Sequence, residues 1–136
     1  MAGRSRVELQ AEVDGRREAL FELVSTSTGL RRWLDDADVQ PARGSACRFR
    51  LAGGVAVGRV LAVAAPQHVS YSWDWEAEPL AEPSVVAFDL IDHGRRTHFT
   101  LRHVGFHDEA QLQLHEALWR HWFGRLLEAA ARPQEE

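Results

Sequence analysis

The chain has 136 residues, enough for one domain that buries roughly two thirds of its unfolded surface without a disulfide or metal staple. Its 45% hydrophobic and 26% charged residues are ordinary globular values, and its formal charge of −4, with arginine but no lysine and no basic cluster, argues against a nucleic-acid partner. A single cysteine, Cys47, excludes an intrachain disulfide and suits a reducing cytoplasm; no signal peptide is expected, and no apolar run approaches the roughly 18 residues of a membrane span.

In chain order, Arg6, Glu8, Gln10 and Glu12 alternate with Val7, Leu9, Ala11 and Val13, which predicts a half-buried strand, expected at or near an edge of the sheet. Asp14 can cap a short helix over Arg17 to Val24, where Leu20, Phe21 and Val24 share a face. Ser25-Thr26-Ser27-Thr28-Gly29 interrupts it. A second short helix is expected over about Leu30 to Leu34. Asp35, Asp36 and Asp38 then read as a solvated loop.

From Ser45 to Val104 the period changes to two. Cys47, Phe49 and Leu51 alternate with Arg48 and Arg50, and Gly53-Gly54 makes a turn. Val55 to Val63 forms the next strand, ended by Pro66. Val69, Tyr71, Trp73 and Trp75 alternate with Ser70, Ser72 and Asp74, and a loop from Glu76 to Pro83 follows. Val86, Phe88 and Leu90 share a face of the next strand. His93-Gly94 is a hairpin tip, and Phe99, Leu101 and His103 alternate with His98, Thr100 and Arg102. Asp108 followed by Gln111 has the form of a capping box. One long helix runs from there to about Ala131, with Leu118, Trp119, Trp122, Phe123, Leu126 and Leu127 as its apolar stripe.

The order implies an α+β fold. About six antiparallel strands, each with one apolar and one polar face, are covered by a single long helix. A twisted sheet of that width bends away from one helix, so the space between them is either a cavity or a set of large side chains.

Several segments, taken in order, resemble a known family. They are Gly58-Arg59-Val60-Leu61-Ala62-Val63 leading through Pro66 to Val69-Ser70-Tyr71-Ser72-Trp73, then Ser84 to Leu90, then Thr97 to Phe106, and the terminal helix with Trp119. Together they resemble the activator of heat-shock-chaperone ATPase homologues, within the START-like (SRPBCC) superfamily of lipid-transfer proteins, birch-pollen allergens and polyketide cyclases. The resemblance covers about Arg6 to Ala131. It implies a helix-grip fold: a curved antiparallel sheet wrapped around the C-terminal helix, with two short helices after the first strand. Residues 6–131 would be one START-like domain, with 1–5 and 132–136 as flexible termini. The eukaryotic co-chaperones that name the family carry a further N-terminal chaperone-binding domain for which this length leaves no room, so a chaperone contact is not expected.

The inward set contains Phe49, Tyr71, Trp73, Trp75, Phe88, Phe99, Leu101, Trp119 and Trp122, with Trp33 as a candidate for the entrance. Such residues can stack on a flat apolar ligand, with indole and phenol groups as polar handles, or they can simply fill the core. His103 ends the inward series and can orient a ligand, act as an acid or base, or close the sheet's end as a hydrogen-bonded histidine. The resemblance favours binding of a small hydrophobic or aromatic molecule without a cofactor, by a monomer or homodimer. A cofactor-free cyclase or aromatase using His103 or Tyr71 is the alternative, and an interaction module or chaperone-linked protein the third reading. The seven histidines have no ligand spacing along the chain, so no metal site is expected. Cys47, on an apolar phase, reads as an inert buried thiol.

Overall fold

A computed structural model of the chain describes residues 6–80 and 82–132. The termini expected to be flexible lie, apart from Arg132, outside the described residues. The elements are β1 (Arg6–Asp14), α1 (Arg17–Leu20), α2 (Glu22–Ser25), α3 (Ser27–Leu30), β2 (Asp36–Val39), β3 (Ala46–Leu51), β4 (Gly54–Ala64), β5 (His68–Trp75), β6 (Ser84–His93), β7 (Arg96–Val104) and α4 (Glu109–Ala131). The strands form one antiparallel sheet of seven in the order β1-β7-β6-β5-β4-β3-β2. This is the helix-grip arrangement: a curved antiparallel sheet, short helices after the first strand, and a long C-terminal helix. β1 leaves the meander and returns to pair with β7 at the edge, as its alternation and position suggested.

The inward phase of β3 to β7 is buried as the alternation requires. Cys47, Phe49 and Leu51 are buried while Arg48 and Arg50 are exposed, and Val86, Phe88 and Leu90 repeat the pattern on β6. α4 has 23 residues, hence about 35 Å of length. Asp108 caps it by accepting from the amides of Ala110 (2.7 Å) and Gln111 (3.4 Å). The reciprocal half of the capping box is not formed, because the Gln111 Oε1 is buried without a partner. Its buried face is Leu112, His115, Trp119, Trp122, Phe123, Leu126 and Ala129. Leu118 and Leu127, expected on the stripe, are only partly buried at its border.

Two expectations are corrected. The sheet has a seventh strand, β2, where the acidic stretch read as a loop. Its charges stand opposite arginines on β3, Asp36 facing Arg50 and Asp38 facing Arg48, while Ala37 and Val39 are buried. Cross-strand opposite charges stabilise such a pair, so a strand this acidic is compatible with the edge. The helical region is also divided differently. It consists of three one-turn helices, and the last begins inside the Ser/Thr run that was read as an interruption. Thr26 caps α3 by accepting from the Gly29 amide at 2.9 Å.

Gly29 explains why that turn is so tight. A Cβ there would stand 1.8 Å from the Glu22 carbonyl oxygen, so α2 and α3 approach over a position where no side chain fits. Gly29→Ala is expected to cost about 2–3 kcal/mol by overpacking. Urea unfolding of the variant checks this, and a change of midpoint within error of zero would contradict the close approach.

Candidate functional site

The aromatic residues of the inward phase meet beneath α4. Trp73 is the hub. Its ring stacks on Phe49 (centroids 5.8 Å apart, planes at 19°) and meets Trp119 at 5.3 Å, Trp75 at 5.5 Å and His103 at 5.4 Å. Phe88 bridges Trp33 and Trp119 edge-on. Leu30, Trp33, Leu34, Phe49, Tyr71, Trp73, Val86, Phe88 and Trp119 line a common internal space. Of the residues expected there, Trp33, Phe49, Tyr71, Trp73, Phe88 and Trp119 are brought together. Phe99, Leu101 and His103 are fully buried but do not line it. Trp122 lies apart, with the Arg125 guanidinium 4.9 Å above its ring. Leu30 and Leu34 also line it, from a region without strand alternation, as does Val86, which alternation placed on the face of Phe88.

This space is small. Its volume is about 10 Å³, at the lower limit for a single water molecule of roughly 10–15 Å³. The centre is therefore an almost closed aromatic core in this structure, and of the two outcomes that the sheet-and-helix argument left open it is the filling by large side chains. Trp33 does not stand at an entrance: it is 1% exposed, and its indole N–H donates to the Leu23 carbonyl at 2.7 Å. Larger hollows, of about 280 and 440 Å³, lie over outward-phase polar residues around Asp36 and Arg48, and around His68 and Arg102.

Polar atoms inside the core are arranged in chains. The Trp119 indole donates to His103 Nδ1 at 2.8 Å. That bond fixes the tautomer, so His103 Nε2–H donates to the Ser84 hydroxyl at 2.7 Å, and Ser84 donates onward to the Trp73 carbonyl at 3.0 Å. A parallel arrangement holds His115, whose Nε2 accepts from the Trp75 indole at 2.9 Å while Nδ1 donates to the Gln111 carbonyl at 2.8 Å. Both rings are thus neutral with every position used. Burial pushes the His103 pKa well below its ordinary value, helped by neighbouring His115, and burial lowers that of His115. The Tyr71 phenol donates to the Val24 carbonyl at 2.6 Å, and burial, with Cys47 nearby, pushes its pKa upward. Burial likewise pushes the Cys47 thiol up to about 12. Among the described residues Arg17 Nε and Gln111 Oε1 are buried without a partner, and within the aromatic centre so is the Trp73 indole nitrogen. A buried donor left unpaired costs about 1–3 kcal/mol.

His115 lies on the buried face of α4 with the apolar side chains. The series 112, 115, 119, 122, 126 and 129 has the spacing of a buried seam, and it would have placed this histidine inside. Gly58 on β4 stands opposite the buried Cys47 of β3. A Cβ there would meet the Ser72 carbonyl oxygen at 1.9 Å, so any side chain at 58 separates β4 from β5 whatever the state of the centre. On the outer face, Glu12, His93 and His98 gather from β1, β6 and β7, a grouping that spacing along the chain does not show.

The profile of the family described as Activator of Hsp90 ATPase homolog 1-like protein matches residues 14–131. Comparison with curated proteins finds no match. A protein of Mesorhizobium loti has a similar structure, with a TM-score of 0.84 and 25% identity over 96% of this chain and 99% of that one. The Aha1 dimer from Colwellia psychrerythraea is similar at a TM-score of 0.78 and 17% identity, over 97% of this chain and 100% of that one. An HSP90 activator from Plasmodium falciparum is similar at a TM-score of 0.79 and 16% identity, again over 97% and 100%. The last two likenesses concern the fold alone. Among the described residues no helix is long and apolar enough to cross a membrane.

Neutral, depressed histidines bear on pH. The unfolded chain binds protons at these rings below their ordinary pKa of about 6.5, while the folded chain resists them. Their contribution to stability is therefore complete above about pH 6.5 and declines as pH falls below it. Imidazole ¹⁵N spectra at about pH 7.5 should show His103 protonated on Nε2 only and His115 on Nδ1 only. An imidazolium signal from either ring at that pH would contradict the hydrogen-bond assignment.

Proposed function

We propose that this chain, which belongs to the Activator of Hsp90 ATPase homolog 1-like family, binds a flat, apolar small molecule carrying a hydrogen-bond acceptor between Trp33, Phe49, Trp73, Phe88 and Trp119. The observation that carries the reading is the unpaired Trp73 indole N–H on the lining of the aromatic centre. Evolved cores pair their buried donors, and an unpaired one among stacked rings is an anchor awaiting an acceptor. On this reading residues 6–131 work as one START-like unit. The space enlarges when the segment carrying Leu30, Trp33 and Leu34 swings outward. Apart from apolar packing, that segment is held by bonds of Trp33 to Leu23 and Ser27 to Val39, of the Asp35 amide to the Arg50 carbonyl at 3.1 Å, and of the Arg32 guanidinium to the Ala129 carbonyl at 2.9 Å.

Binding is favoured over catalysis because His103 and Tyr71, the candidate acids and bases, have their polar atoms engaged in the core. A general base must reach a substrate proton directly or through one water. The exposed large apolar side chains Leu61, Ile91 and Leu114 sit on β4, β6 and α4 separately, which favours an interior ligand over a docking face. The inert buried thiol of Cys47 suits a cytoplasmic protein, where we place it.

Flat aromatic ketones and quinones, titrated into the protein while tryptophan emission is followed, should include binders. Val86→Phe adds a ring to the lining of the same space and is expected to weaken such a ligand by about tenfold or more, 1.4 kcal/mol. Native mass spectrometry of freshly purified protein complements the titration. No emission response across the panel, with no co-purified small molecule, would sink the proposal.

A further inference from the structure

The outer face of the sheet carries an arrangement unrelated to the aromatic centre. β1 and β7 place Glu12 directly opposite His98, and the β6–β7 register sets Ile91 against His98, so His93 falls on the diagonal of the same face. Candidate ligand atoms of Glu12, His93 and His98 all lie within 4.8 Å of one another. Glu12 Oε2 is the meeting point, 2.9 Å from His93 Nδ1 and 2.7 Å from His98 Nδ1. The two imidazole rings lie side by side, centroids 5.7 Å apart with planes at 31°.

The hydrogen bonds around His98 are unusual. Its Nε2 is 2.9 Å from Gln10 Oε1. The Gln10 amide cannot turn over without loss, because its NH₂ donates to the Glu8 carboxylate at 2.8 Å. His98 Nε2 must therefore carry a proton and donate it. The lone pair of Nδ1 on a neutral ring would then face a carboxylate oxygen, which is repulsive. A metal ion placed between Nδ1 and the carboxylate oxygen would be bound by both. A ligating histidine whose other nitrogen donates to an amide or carboxylate oxygen is the usual second layer of a metal site.

We propose that Glu12, His93 and His98 form a surface site for a divalent cation of the zinc type. Two imidazole nitrogens and one carboxylate oxygen are the donor set such an ion prefers, at about 2.0–2.2 Å from each atom. Tetrahedral placement needs Glu12 Oε2 to move away from each imidazole Nδ1 by about 0.5 Å, with the two rings already within 4.8 Å of one another at their ligand atoms. Glu12 and His98 are anchored in strands, His93 ends its strand at the β6–β7 hairpin, and solvent water completes the coordination. Magnesium and calcium, which require mainly oxygen ligands, are not competitive there. The site lies on the surface, so the fold does not depend on the metal and persists in a strong chelator.

The test uses the full chain stripped with a chelator and titrated with Zn²⁺ by calorimetry, with imidazole ¹⁵N spectra recorded alongside. One equivalent is expected to bind, moving the Nδ1 resonances of His93 and His98. His93→Gln, His98→Gln and Glu12→Gln should each abolish this binding without changing the metal-free thermal midpoint. Gln10→Leu, which removes only the orienting acceptor, should weaken it by about tenfold. No binding by the native chain, or binding that survives all three ligand substitutions, would overturn the site. Nδ1 resonances that stay fixed while zinc binds elsewhere would do the same.

Discussion

The organisation of this molecule depends on one constraint: rings with polar edges are packed where there is no water. Each indole, imidazole and phenol group must then find a partner inside the core, because a paired hydrogen bond contributes only about 1 kcal/mol net while an unpaired group costs about 1–3. The chain from the Trp119 indole through His103 and Ser84 to the Trp73 carbonyl meets this demand. It also ties α4 to β7, β6 and β5 in a single line. The Trp75–His115–Gln111 bonds do the same between β5 and the first turns of α4. The grip of sheet on helix is thus polar as well as apolar. The same economy removes His103 from the roster of acids and bases, since a ring with both nitrogens engaged has nothing to offer a substrate. Trp73 is the exception that gives the core a possible use.

Much of the fold is legible in the sequence because burial on one face leaves a period of two. Phe49, Tyr71, Trp73, Phe88 and Phe99 announce their strands, and Asp108 announces the start of α4. β2 is illegible for a physical reason. It is four residues long, and its outward positions, Asp36 and Asp38, look solvated until Arg50 and Arg48 stand opposite them. Gly29 and Gly58 look like a break and a small core residue; each is a point where two backbones approach too closely for a Cβ.

The candidate sites were legible to different degrees. Phase alone assembles Phe49, Tyr71, Trp73, Phe88 and Trp119, yet phase says nothing about how much room remains between their rings. That depends on ring tilts and on Leu30, Trp33 and Leu34, which reach the centre from the end of α3 and the turn after it. The grouping of Glu12, His93 and His98 depends on the pairing of the first strand with the last, and no spacing rule along the chain anticipates it. Interior and exterior then divide the chemistry: rings and one free donor beneath α4, imidazoles and a carboxylate on the solvent side of β1, β6 and β7.

On the proposed reading, the Trp73 N–H anchors a ligand acceptor. The most direct measurement is the ¹H–¹⁵N spectrum of the indole groups, with the Trp73 resonance assigned by its loss in Trp73→Phe. The account predicts that this resonance, unpaired in the free protein, moves downfield when a binding aromatic carbonyl compound is added, while the Trp119 and Trp75 resonances keep their histidine-bonded positions. A Trp73 indole signal that stays in place when such a compound is bound would contradict it.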